Sequence, residues 1–226
     1  DDLATAIDDH RFELQALADG NARFTSLQPL VRNTADIEVV MTEAVAGQAP
    51  FATILGCADS RLAPELIFDQ FLGDIFVVRE AGNLAESPTN LGSLEFGQAV
   101  LGSKCLVVLG HASCGAVKAA LEGATPGGNS QAVVDAIAPG ITGAQDLVDA
   151  TKRNVAAVIT RIRVKSPLLQ QAEQGGAIRI VGAYYDIETG GGEFLCTVSG
   201  WAVSGWCRGR GSAAGPARSP SPAAGR

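Results

Sequence analysis

The run Cys57-Ala58-Asp59-Ser60-Arg61 and the later run His111-Ala112-Ser113-Cys114 offer two thiols, an imidazole and a carboxylate close to a guanidinium. Thiolate and imidazole donors take zinc in preference to hard cations such as magnesium or calcium. Three strong protein donors with a negotiable fourth position describe a catalytic zinc site. A structural site takes four strong donors, typically in paired short spacings. Zinc with an open position brings the pKa of a bound water from 15.7 to roughly 7, which makes hydroxide available at neutral pH. Two thiolates cancel the charge of the ion and weaken that effect, so neighbouring groups must help. Asp59 and Arg61 are close enough for a turn to join them, and a bidentate pair would keep Asp59 ionised and aim its free oxygen. Asp59 then either accepts a hydrogen bond from the hydroxide and orients it, or fills the fourth position itself. The residues therefore describe a zinc enzyme of hydrolysis or hydration.

These side chains need a scaffold that gathers them. Leu3, Ile7, Leu14, Leu17 and Phe24 recur at helical spacing, and residues 34–46 repeat the pattern after Pro29, predicting two N-terminal helices. Residues 51–55, 75–78, 105–109 and 178–181 are short apolar runs rich in strand formers, separated by helical stretches at 91–101, 116–121 and 144–164. Such alternation predicts an α/β protein with a mostly parallel central sheet flanked by helices. It would have about four parallel strands, an antiparallel edge strand at 193–198 and an N-terminal helical arm. Residues 184–190 read as the fourth strand running into a turn. Ligands bind such sheets beyond the strand C-termini. Cys57 follows the first strand and His111 the third, so the topology brings both to one edge. One domain is expected over 1–200, with 1–47 as its N-terminal helices, followed by a Gly/Pro/Ser/Ala/Arg tail at 207–226 that reads as a linker or terminal extension.

Composition narrows the function classes. The formal charge is −7 although four arginines, Arg208, Arg210, Arg218 and Arg226, sit in an acid-free tail, so the body is more acidic still and nucleic acid is not an expected partner. No apolar run approaches the roughly 20 residues of a membrane span. Five irregularly spaced cysteines argue against a disulfide framework. Cys105 and Cys196 lie in apolar runs and read as small buried hydrophobes, which leaves Cys57 and Cys114 as the reactive pair. His10, beside Asp8 and Asp9, reads as solvated, Glu65 as a cap on a short helix after Pro64, and Gly82 with Asn83 as a tight turn. The chain starts at Asp1 without a methionine or an apolar signal core. The cytoplasm is the expected compartment, with a plastid, mitochondrion or other compartment open if a leader has been removed.

Several motifs together carry a family resemblance. They are Cys57-Ala58-Asp59-Ser60-Arg61, Pro64-Glu65, Gly73-Asp74-Ile75-Phe76-Val77-Val78-Arg79, Ala81-Gly82-Asn83, Gly92-Ser93-Leu94-Glu95-Phe96 and Gly110-His111-Ala112-Ser113-Cys114-Gly115-Ala116-Val117. From about Leu17 to Gly190 the chain resembles a β-class carbonic anhydrase. The resemblance implies that Cys57, His111 and Cys114 bind zinc, and that Asp59 and Arg61 form a gating dyad with Asp59 as a possible fourth ligand. It also implies reversible hydration of CO2 to bicarbonate and a proton by zinc-bound hydroxide, a lyase reaction serving carbon utilisation. Gln48 and Phe76 match positions that line the CO2 pocket in plant-type members, Gln48 reaching in from the partner subunit, so a homo-oligomer, dimer or tetramer, is expected. Gly115 matches a glycine whose N–H points at bound substrate oxygens, in keeping with its place at a helix start.

Other positions depart from the family. Arg79 and Tyr185 stand at two positions of the inhibitory bicarbonate site found in some bacterial members, but Phe24 replaces the tryptophan, removing its N–H donor. A weak or absent bicarbonate switch follows, with water on zinc near neutral pH. Ala81 replaces an apolar β-branched residue and alters the pocket wall, and from Ser199 onward the sequence is unlike the family. Two rival functions share the site. One is a zinc hydrolase acting on CS2 or COS; the other is a non-catalytic zinc scaffold or carbon-sensing protein, against which the intact Asp59–Arg61 dyad argues.

Overall fold

The computed structural model describes residues 2–195, with side chains from residue 12 onward. Two helices come first, α1 (Asp2–Thr25) and α2 (Thr34–Ala44). The remaining order is β1 (Ala52–Gly56), α3 (Pro64–Ile67), β2 (Ile75–Arg79), α4 (Pro88–Ala99), β3 (Cys105–His111), α5 (Gly115–Leu121), α6 (Gly128–Ile137), α7 (Leu147–Lys165), α8 (Pro167–Gln174), β4 (Arg179–Tyr185) and β5 (Gly192–Leu195). The sheet runs β2-β1-β3-β4-β5. Its first four strands are parallel, and β5 pairs antiparallel with β4, as the strand and helix alternation predicts.

Every residue of β1 and β3 is buried, which places these apolar runs at the centre of the sheet. Side chains alternate between faces along a strand, and in-register neighbours share a face. Thr53 pairs with Leu106, and Val108 with Gly182, so Thr53, Gly110 and Gly182 lie on one face. That face receives α4 and α7 at close range. A methyl on Gly97 of α4 would meet Thr53 Oγ1 at 2.5 Å, and methyls on Gly110 and Gly182 would meet Val155 of α7 at 2.7 and 2.8 Å. Glycine here buys close approach of helix and sheet.

Several boundaries differ from the sequence reading. α4 begins earlier than 91, because Ser87 caps Asn90 N–H and Pro88 sits in the first turn, where its missing N–H costs nothing. α7 begins at Leu147, where Asp146 caps Asp149 N–H. α6 and α8 have no counterpart in the sequence reading. α8 spans eight residues, too short for a clear apolar period, although the Ser166 cap and Pro167 mark its start. The expected continuation of β5 to 198, Cys196, the 207–226 tail and the His10 side chain lie outside the described residues.

Leu14, Leu17 and Ala18 of α1 pack into the core, and two polar anchors join the N-terminal arm to the body besides. Asn21 of α1 donates to Ile67 O (3.1 Å) and Gly190 O (2.9 Å) and accepts from Gly192 N–H (3.1 Å), fixing α1 to the turn between β4 and β5. Asp69, 4% exposed, accepts from Arg23 Nε (2.5 Å), Arg32 Nη1 (2.9 Å) and Leu30 N–H (3.1 Å). Beyond that anchor, α2 closes its own N-terminus with an Asn33/Asp36 capping box yet buries no residue. Ile37, Met41 and Val45 form an exposed stripe at four-residue spacing along it.

Candidate metal centre

β1 ends at Gly56 and β3 at His111, so Cys57 and His111 leave adjacent parallel strands at the same edge. Cys114 follows a one-turn reversal in which Ser113 adopts φ +54°, and it stands at the N-cap of α5. All three side chains are buried: Cys57 at 4% exposure, His111 at 0% and Cys114 at 1%. Their donor atoms lie within 4.8 Å of one another, and the two Sγ atoms are 4.0 Å apart. Tetrahedral zinc with bonds near 2.3 Å separates two sulfurs by about 3.8 Å, so the spacing suits that ion.

The imidazole is prepared in the same sense. Ala112 O lies 2.9 Å from His111 Nδ1 and can only accept, so Nδ1 carries the proton and Nε2 presents its lone pair. Nε2 is buried and has no hydrogen-bond partner. A buried acceptor left without a partner is costly unless a ligand completes it. The thiols are also tuned. Cys57 is pulled down to about 4, first by its contact with the Cys114 thiol, against burial, which pushes it up. Cys114 is pushed above the ordinary thiol range by the same contact and by burial. Without a cation between them, one of the two sulfurs must keep its proton. A divalent ion removes that conflict, and the donor set fits zinc.

Asp59 and Arg61 meet as their spacing suggests. Arg61 donates from its backbone N–H (2.9 Å) and Nε (2.9 Å) to Asp59 Oδ1, and from Nη2 (2.7 Å) to Oδ2. The Arg61 hydrogen bond, opposed by burial, holds the Asp59 carboxyl well below the usual carboxylate range. Asp59 Oδ2 remains 3.9 Å from His111 Nε2, beside the three donors but not among them. Arg61 also reaches Ser113 O at 3.2 Å, tying the two metal loops together.

The remaining expected site residues are dispersed. Arg79 donates from Nε to Cys57 O (3.0 Å) and from Nη2 to Asp59 O (2.6 Å), making it a clamp on the cysteine loop. Tyr185 lies at 5% exposure opposite His111 on β4, with β1 and β3 between it and the β2 strand of Arg79. Phe24 packs its ring against Gly190. Gly115 opens α5, and a Cβ there would meet nothing within 4 Å. Gln48 is exposed in the loop before β1. Phe76 packs on Phe96, with centroids 6.4 Å apart, and stands three residues before Arg79, about 10 Å of strand from the metal end of the sheet. Neither Gln48 nor Phe76 joins the donor cluster of its own chain.

Sequence reasoning missed one contact to a donor. Gly82 N–H donates to Cys57 Sγ at 3.3 Å from a left-handed backbone (φ +67°), and a Cβ there would strike Ile137 Cδ1 at 2.7 Å. The sequence reads Gly82 as a turn glycine; its approach to the sulfur has no local signal.

The fold and the three donors define an α/β protein with a buried Cys-His-Cys group that could hold a metal ion. The family model for carbonic anhydrase matches residues 52–191. Carbonic anhydrase 2 of Mycobacterium tuberculosis is 40% identical over 185 residues, covering 78% of this chain and 88% of that one. The carbonic anhydrase of Mycolicibacterium smegmatis is 38% identical over 186 residues, with the same coverage of 78% and 88%. Among solved structures, the Coccomyxa β-carbonic anhydrase in complex with acetazolamide superposes with a TM-score of 0.62 at 28% identity, covering 71% of this chain and 78% of that one. The chain belongs to the β-carbonic anhydrase family, and it is an enzyme of that class.

Proposed function

We propose that the protein catalyses the reversible hydration of CO2 to bicarbonate and a proton, with zinc held by Cys57, His111 and Cys114. The observation that carries this reading is the unpartnered, buried His111 Nε2 facing two thiols 4.0 Å apart. Zinc bound there supplies a nucleophilic hydroxide at neutral pH by lowering the pKa of water on its open position.

The chain's own groups do the rest. Arg61 occupies both oxygens of Asp59, which keeps the carboxylate ionised and out of the fourth position. Asp59 Oδ2 is then free on its remaining lone pair to accept the nucleophile's proton in a hydrogen bond and aim its attack on CO2. In this reading Gly115 N–H, at the first turn of α5, holds a substrate oxygen. Burial of the donors excludes competing water. The resting state is the open one. Arg79, engaged by Cys57 O and Asp59 O, lacks a tryptophan partner, so the bicarbonate switch is weak or absent.

A homo-oligomer completes this reading. An eleven-residue helix that buries nothing is marginal on its own, and the stripe of Ile37, Met41 and Val45 on α2 suits a second copy of the chain. Gln48, at the end of the same arm, then lines the partner's pocket instead of its own, and Phe76 lines the CO2 pocket as the resemblance implies. Zinc hydrolysis of CS2 or COS has no observation in its favour, and the paired Asp59 and Arg61 argue against a silent scaffold.

Stopped-flow measurement of CO2 hydration tests the proposal. Catalysis that is lost on chelation and restored by zinc is expected. A protein of full zinc occupancy with no rate above buffer refutes it.

A further inference from the structure

We propose that Asn154, on α7, is a positioning residue of the metal centre, holding the Gly82 peptide so that its N–H stays directed at Cys57 Sγ. The inference rests on the zinc reading given above. Asn154 touches no donor; it acts through Gly82. Its Nδ2 donates to Gly82 O at 2.9 Å across a sequence separation of 72 residues, and Gly82 N–H in turn donates to Cys57 Sγ at 3.3 Å. A carbonyl only accepts, so the carboxamide must present its nitrogen here.

The packing of α7 indicates that Asn154 is there for this contact. The helix buries Val155, Val158, Ile159 and Ile162 with it, and Asn154 is 0% exposed. Its Oδ1 has no hydrogen-bond partner. A buried amide with an unmet acceptor is a poorer core residue than leucine of similar volume. The other buried polar residue of α7, Thr151, spends its hydroxyl within the helix on Leu147 O. Asn154 spends its amide on another segment.

That segment needs holding. Gly82 occupies the left-handed region, where glycine alone sits without strain, and the same residue has the widest conformational freedom to lose. The peptide joining Gly82 to Asn83 is gripped at both ends: Asn83 N–H donates to Glu80 O at 2.8 Å, and Asn154 binds Gly82 O. Holding that plane leaves the preceding N–H only the rotations about φ and ψ of Gly82. A hydrogen bond to a thiolate withdraws charge from sulfur and orients its lone pairs toward the ion.

The test is Asn154→Leu, with Asn154→Thr beside it in case leucine does not fold. Folding is checked by far-UV circular dichroism and urea unfolding, zinc affinity by competition with a chromophoric chelator, and the sulfur environment by the thiolate-to-metal charge-transfer band of the cobalt(II)-substituted protein. A folded variant with zinc affinity lowered about tenfold or more and a shifted cobalt band is expected, in line with the loss usual for an outer-shell partner. A folded variant with wild-type zinc affinity and an unmoved band overturns the inference and leaves the zinc reading intact. Wild-type protein that takes up no metal sinks both.

Discussion

Gly110 is the residue through which helix packing meets the metal centre, since it precedes His111 on β3 and lies beneath α7. In Gly110→Ala the added methyl would lie 2.7 Å from Val155 Cγ2 and 3.0 Å from Thr151 Cγ2. The φ at Gly110 is not positive, so the substitution brings no backbone strain, and the whole effect is steric. Val155 is 0% exposed and also fills the notch over Gly182 at 2.8 Å, so it cannot simply turn aside. Overpacking of this kind costs about 1–3 kcal/mol. Val155→Ala alone loses two buried methyl groups, roughly 2 kcal/mol with its cavity. If the clash is the cause, the double variant recovers at least about 1 kcal/mol relative to the sum of the singles. Urea unfolding followed by far-UV circular dichroism measures all three. Additivity within about 0.5 kcal/mol refutes the steric account. Zinc competition adds a functional arm: affinity should fall in Gly110→Ala, because His111 is displaced, and recover in the double variant.

Two further predictions concern the arm. Burial raises Asp69, but the Arg23 side chain, Leu30 N–H and Arg32 outweigh it, so its folded pKa lies below the ordinary value. A depressed carboxylate stabilises the fold above its unfolded pKa and loses that contribution as pH falls through the folded one. The stability gap between wild type and Asp69→Asn should therefore be widest at neutral pH and close below about pH 4; a gap independent of pH in urea titrations contradicts the ion-pair reading. On the proposal that α2 covers a second copy, Met41→Glu at the centre of its stripe should lower the mass seen by light scattering coupled to size exclusion, and an unchanged mass refutes that role for α2.

Much of the site was legible because its chemistry is written in residue types at short range. Cys57 to Arg61 and His111 to Cys114 are contiguous runs, and a turn of either leaves few geometries for their side chains. The strands were legible for a similar reason: fully buried runs such as 105–109 remain apolar whichever way they face. Short elements were harder. α8 shows too few turns for a period, and α6 starts at paired glycines, which signal a loop.

By itself, the sequence determined the three candidate metal donors, the Asp59–Arg61 pair, the alternating order of strands and helices, and the edge of the sheet where the donors emerge. These follow from local composition and from the handedness that parallel β-α-β units share. Tertiary structure alone decided which groups hold the donors in place. Arg79 became a clamp on the Cys57 loop, Gly82 lent an N–H to the sulfur, and Asn154 reached Gly82 O from a distant helix. Such contacts depend on how β1, the turn at Gly82 and α7 pack in three dimensions, and an amide or a glycine looks the same in sequence whether or not a thiol waits opposite it.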